Sequence, residues 1–117
     1  MFYKKGNNLF LSKGDTGVLS IKIGDSYPLT VDDRILFTIK DNYKPIIIRC
    51  ITPVNNTAMV EFTNEMTQNL PAKDYKYDIR VIAHAELDEH GLPIDGDVVN
   101  TPFSTAIFKL LETVGDV

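Results

Sequence analysis

The sequence predicts an all-β domain, an antiparallel sandwich or barrel. Two observations carry that prediction. Apolar residues recur at every second position in run after run, and turn-forming residues separate the runs. A third is the overall balance: 44% hydrophobic and 24% charged residues in a chain of 117 suit one globular domain. A domain of this size buries roughly 65% of its unfolded surface, enough for a core without staples.

The elements follow in order. Met1 to Asn8 reads as an N-terminal arm that presents Phe2 and Tyr3 ahead of the first strand. Residues 9–114 read as a single β-sandwich domain, and Gly115-Asp116-Val117 as a frayed tail. From Gly17 to Ile23, the residues Leu19, Ile21 and Ile23 share one face and Ser20 and Lys22 the other. Arg34 to Lys40 does the same with Ile35, Phe37 and Ile39. Lys44 to Ile51 is β-branched and apolar on both faces. Ala58 to Phe62 alternates Ala58, Val60 and Phe62 against Met59 and Glu61. The strongest alternation runs from Tyr75 to Leu87, broken only by Ile82. Ser104 to Val114 sets Ala106, Phe108 and Leu110 opposite Lys109, in a stretch that also holds helix formers.

Turn residues divide these runs at Ser12 to Asp15, Gly24-Asp25-Ser26, Asp41-Asn42 and Pro53 to Asn56. One segment breaks the strand pattern. Residues 64–70 carry a polar start and helix-compatible side chains and are stopped by Pro71, which predicts a single helical or 3₁₀ turn. Leu87 to Thr101 reads as a long loop. Antiparallel pairing is expected throughout, because antiparallel sheets commonly leave one face in water.

Charge and cysteine content narrow the function. The formal net charge is -4 and the lysines and arginines are scattered, so no nucleic-acid partner is expected. No apolar run approaches the length of a membrane span, and no membrane partner is expected either. Met1-Phe2-Tyr3-Lys4-Lys5 lacks the apolar stretch of a signal peptide, which predicts a protein kept in a cytoplasm or released by a route other than secretion. The one cysteine, Cys50, lies in a β-branched run with no histidine near it in sequence and reads as a structural small hydrophobe.

The residues with metal or acid–base chemistry gather late in the chain. His84, Glu86, Asp88, Glu89 and His90 offer imidazole and carboxylate, which zinc accepts, but in no recognised ligand spacing. The plainer reading is a solvated strand face running into an acidic loop, and no metal or cofactor is assigned. The segment from Asp88 to Asp97 is acidic without a lysine or arginine and lacks EF-hand spacing. Within the loop it begins, Leu92, Pro93 and Ile94, together with Phe103, are the candidate apolar anchors of a partner contact. Asp32 and Asp33 read as turn residues. Tyr75 and Tyr77 fall on the apolar face of their strand and read as core tyrosines with satisfied hydroxyls. No nucleophile elbow or phosphate loop is present, and no catalytic residue is assigned.

The stretch from Met66 to Ile79 adds a resemblance. A threonine precedes a leucine, then a tight turn, then the alternating Tyr75-Lys76-Tyr77-Asp78-Ile79. With Leu11 to Gly17 and the strand Ile35 to Lys40, this order resembles small phage and prophage tail or baseplate modules. It is similar to the N-terminal module of upper baseplate proteins of Gram-positive phages, from about Leu9 to Ile82. The resemblance implies an immunoglobulin-like sandwich that serves as a virion structural part. Its implied partners are other phage structural proteins and further copies of itself. It would reside in a bacterial cytoplasm during assembly and then in the virion. Two departures stand out. The family commonly has glycine where this chain has Lys73, so either the turn differs or Lys73 bears roughly 1 kcal/mol of left-handed strain. The family crosses a short hairpin where this chain has its longer loop. The alternative is a cellular protein- or carbohydrate-binding sandwich, which the absence of tryptophan weakens on the sugar side.

Overall fold

A computed structural model describes residues 2–23 and 28–112, with backbone alone for residues 93–105. The expected turn at Gly24-Asp25-Ser26 and the tail at 115–117 lie outside the described residues. The chain is an all-β sandwich with one short helix. Its strands are β1 (Phe2–Lys5), β2 (Asn8–Ser12), β3 (Gly17–Lys22), β4 (Arg34–Asp41), β5 (Lys44–Ile51), β6 (Thr57–Phe62), β7 (Asp74–Leu87) and β8 (Pro93–Leu111), with α1 (Asn64–Thr67) between β6 and β7.

Six strands form one sheet in the order β1-β2-β8-β7-β4-β5, and β3 and β6 form the other. The central frame is immunoglobulin-like: β4, β7 and β8 stand where such domains keep strands C, F and G, and β3 and β6 where they keep B and E. The period-two pattern does the sorting. Inward positions Ile35, Phe37 and Ile39 of β4 and Tyr75, Tyr77, Ile79 and Val81 of β7 are buried against Leu19, Ile21, Ala58, Val60 and Phe62 of the small sheet. Phe62 is the hub. Its ring lies 5.1 Å from Phe2, 5.8 Å edge-on from Phe37 and 5.6 Å from Phe108.

Three parts of the fold depart from the sequence reading. Met1 to Asn8 is no free arm: Phe2–Lys5 pairs antiparallel with β2 through a Gly6-Asn7 turn. The Tyr77 hydroxyl donates to the Asn7 carbonyl and pins that turn. Pairing is not antiparallel throughout either, since β2 runs parallel to β8, Leu9 opposite Phe108. The direction of β8 is set by its hairpin with β7, and β2 must hand over to β3 at the end of the sandwich where β8 also stops. The long loop, finally, is mostly strand. Only residues 88–92 turn, and β8 starts at Pro93.

β1 leaves a mark on β3. A Cβ at Gly17 would stand 2.6 Å from the Phe2 Cβ and 2.7 Å from its Cγ. Neither atom is a flexible tip, so the edge strand must shift to admit it. Gly17→Ala is therefore expected to cost about 1–3 kcal/mol in urea unfolding, and less when added to a Phe2→Ala background, where the ring contact is gone and only the Cβ contact remains. A Gly17→Ala domain as stable as wild type would mean β1 is not seated as described.

The expected helical turn is α1. The Thr63 N–H donates to Met66 Sδ at 3.3 Å and the Met66 N–H to the Thr63 carbonyl at 3.2 Å. Buried Thr67 accepts the Gly14 N–H at 3.0 Å and so ties the Ser12 to Asp15 turn to the helix. Beyond Pro71, the Tyr75 hydroxyl donates to the Pro71 carbonyl at 2.6 Å, the tyrosine corner of immunoglobulin-like domains. Burial pushes the Tyr75 and Tyr77 phenols above their ordinary range.

Candidate functional site

The two-stranded sheet covers only one side of the six-stranded sheet, so the even-numbered residues of β7 look outward. Lys76 is exposed while Tyr75 and Tyr77 on either side of it are buried. Cross-strand register places Lys76 beside Ile107 of β8 and Lys40 of β4, and Lys109 beside Phe10 of β2. Phe10 stacks on Tyr3 of β1, with ring centroids 4.6 Å apart and planes 3° from parallel. This outer face is thus lysine-rich and carries aromatic and aliphatic side chains, among them Tyr3 at 42% and Ile107 at 38% exposure.

At one end of the face is a groove of about 470 Å³ between the β4–β5 turn and the start of β7. The turn has two residues, Asn42 and Tyr43, at φ 50° and 68°. Positive φ at both central positions is the type I′ pattern, which matches strand twist and favours Asn-Gly. Asparagine is present; a tyrosine stands where glycine is preferred. Its ring is 89% exposed, with the Lys76 ammonium 5.9 Å from its centroid. The fold holds an aromatic ring in water, in a conformation that costs an L-residue roughly 1–2 kcal/mol.

All the charges lining this groove except Lys76 are paired. Lys73 bonds Asp41 at 2.8 Å and lies 5.3 Å from the Tyr75 ring centroid. Lys40 bonds the buried Asp78 at 2.9 Å, with Arg80 3.7 Å from the same carboxylate. Asp41 raises the pKa of the Lys73 ammonium, chiefly through their hydrogen bond. Lys73 is not among the residues at positive φ, so its turn differs from the glycine form and carries no left-handed strain.

Tyr43 is expected to be a stability liability. Tyr43→Gly relieves the left-handed strain, at the cost of greater chain entropy and the exposed cation–π contact, for a net gain of about 0.5 kcal/mol. Urea unfolding reads this directly. A loss above about 1 kcal/mol would mean the ring packs in a way its exposure does not suggest.

The candidate contact residues at the far end are split. Leu92 closes the β7–β8 turn, half-buried, its N–H donating to Asp88 Oδ1 at 2.9 Å. The side chains of Pro93, Ile94 and Phe103 lie outside the described residues; their backbone is β8 strand rather than loop. Asp88 also accepts the His90 N–H at 2.8 Å, and the backbone hydrogen bond from Leu92 is the main cause of its lowered pKa. The chain does not line up His84, Glu86 and Asp88 on one strand face. His84 sits at φ 52°, the register shifts between Ala83 and Glu86, and Asp88 is in the turn. Among the described residues no three His, Cys, Asp or Glu side chains stand close enough to hold a metal.

Cys50 is half-buried on β5, and burial pushes its thiol above the ordinary range, against the lowering effect of Arg34. The Asp88 carboxylate adds to the rise. Sequence reading missed Tyr43 and the Tyr3–Phe10 stack. The signal for Tyr43 was present: an aromatic directly after asparagine, in a three-residue gap between two strong strand runs.

No protein-family model matches this chain, and no curated protein matches it significantly.

Proposed function

We propose that the chain is a non-catalytic assembly module, a structural part of a phage or prophage tail or baseplate that works by contact with neighbouring proteins. The observation that carries this reading is the outer face of the six-stranded sheet. No layer of the described chain covers it, yet it bears stacked Tyr3 and Phe10, exposed Ile107 and, at its end, Tyr43 held outward against its conformational preference. Exposed aromatic residues are enriched in protein contact surfaces, and the lysines beside them suit an acidic neighbour. The resemblance of Leu9 to Ile82 to baseplate modules supplies the tail or baseplate setting, and fold by itself would not.

Mass spectrometry of purified phage particles induced from the source bacterium tests the reading. Peptides of this chain at stoichiometric level are expected, with a copy number that points to tail, baseplate or neck. Expression of the protein with clean absence from intact particles would overturn it, in favour of an assembly factor or a cellular binding module.

A further inference from the structure

We infer that the partner of the Tyr43 groove is a second copy of this chain, which docks there through the acidic β7–β8 turn. The inference deepens the assembly reading and rests on it in choosing a protein neighbour. Its own basis is charge. From Val81 to Phe108 the chain has no lysine or arginine and five carboxylates, Glu86, Asp88, Glu89, Asp95 and Asp97. The register even sets Glu86 opposite Asp95, a pairing of like charges that a hairpin bears at a cost. Glu86 and Glu89 are exposed, and Glu89 has only the weak pairing with His90, at 3.4 Å.

The other end of the same strand is the reverse. Lys40, Lys73 and Lys76 line the groove, Lys44 is the cross-strand partner of Asp41, and Lys109 lies 3.9 Å from Asp74. Three aspartates answer these five lysines, and one of them, Asp78, is buried. Lys44 and Lys76 are exposed and make no ion pair among the described residues.

The two ends cannot neutralise each other within one molecule. Lys76 and Glu86 are ten residues apart on β7, roughly 30 Å at the rise of a strand. That is several times the screening length of about 8–10 Å at physiological salt. A neighbour can bring them together. The ordered turn, closed by Asp88, presents its carboxylates to Lys44 and Lys76, and Tyr43 supplies an exposed ring to be covered in the contact. Because donor and acceptor surfaces lie at opposite ends, the contact is head-to-tail and repeats into a ring or an open row.

Sedimentation velocity on the full chain tests this with charge reversal. Wild type is expected to self-associate at low salt, with affinity falling about tenfold or more as salt is raised toward 0.5 M. The double variant Lys44→Glu, Lys76→Glu and the double variant Glu86→Lys, Glu89→Lys should each be folded by circular dichroism and monomeric alone. Mixed in equal amounts they should associate, since the acidic turn of the first meets the intact groove of the second. Tyr43→Gly, folded, should weaken self-association by about tenfold. A wild-type chain that stays monomeric at low salt, reversal variants that assemble like wild type, or a mixture that remains monomeric would each overturn the contact. A monomeric chain found at stoichiometric level in particles would overturn this contact and leave the assembly reading standing. Salt-sensitive self-association in a chain absent from particles would do the opposite.

Discussion

Phe62→Ala is expected to lower the unfolding free energy by about 3–5 kcal/mol, a large share of the roughly 5–15 kcal/mol that holds a small domain together. Phe62 ends β6 on the small sheet and is fully buried. Its ring meets Phe37 of β4 and Phe108 of β8, on the large sheet, as well as Phe2 of the edge strand. Removing it leaves a cavity between two sheets that share no hydrogen-bonded strand pairing among the described residues, so neither sheet can collapse into the space without moving as a body. Equilibrium urea unfolding checks the prediction, with Val18→Ala on the outside of β3 as the control. Val18 is 50% exposed, and its truncation should change stability by less than about 0.5 kcal/mol. A loss below about 1.5 kcal/mol at Phe62 would mean the sheets are not clamped by this cluster.

Asp33→Ala is expected to cost about 2–4 kcal/mol, although the residue sits in a polar turn. Asp33 is 2% exposed. One carboxylate oxygen accepts the Thr30 N–H at 2.8 Å and the Thr30 hydroxyl at 3.4 Å. The other accepts the His84 N–H at 3.2 Å, and next to it the Ala85 N–H donates to the Asp32 carbonyl at 3.0 Å. This carboxylate therefore fastens the turn before β4 to the bulge of β7. Alanine leaves two part-buried backbone donors without their acceptor, and a donor that water does not reach costs about 1–3 kcal/mol when unpaired. Asp33→Asn, which keeps one acceptor oxygen, should lose less. Urea unfolding gives the size, and amide exchange at Thr30 and His84 gives the place: both should lose protection before the rest of the domain. Loss confined to Thr30 would show that the turn alone depends on Asp33 and that the bulge is held by its own strands.

The contrast between these residues shows how far the sequence could be read. β3 to β7 were legible because one face of each strand is wet, or because β-branched residues crowd it, and hydrophobic periodicity reports both directly. Ile35, Phe37 and Ile39 were placed inward on that ground, and they are buried. The tyrosine corner was legible for a similar reason: Tyr75 shares the apolar parity and sits just past Pro71. The helical turn was announced by its polar start and by the proline behind it.

What periodicity could not announce is what depends on partners distant in the chain. Phe2 to Lys5 looks like an arm because two aromatics followed by two lysines show no alternation; they form a strand because Phe2 finds Phe62, sixty residues on, and Tyr3 finds Phe10. Residues 93–100 look like a loop because acidic and glycine residues avoid strands; pairing with β7 makes them strand. Asp33 looks like any turn aspartate until the bulge at His84 arrives beside it. By itself the sequence determined the fold class, the inward face of most strands and the corner that joins β6 to β7, since each follows from local alternation and turn chemistry. The parallel pairing of β2 with β8, the seat of β1 and the meeting of Lys40, Lys73 and Lys76 with Tyr43 in one groove came from the tertiary structure. Strand order and the meeting of distant side chains are set by long-range packing, which no window of adjacent residues contains.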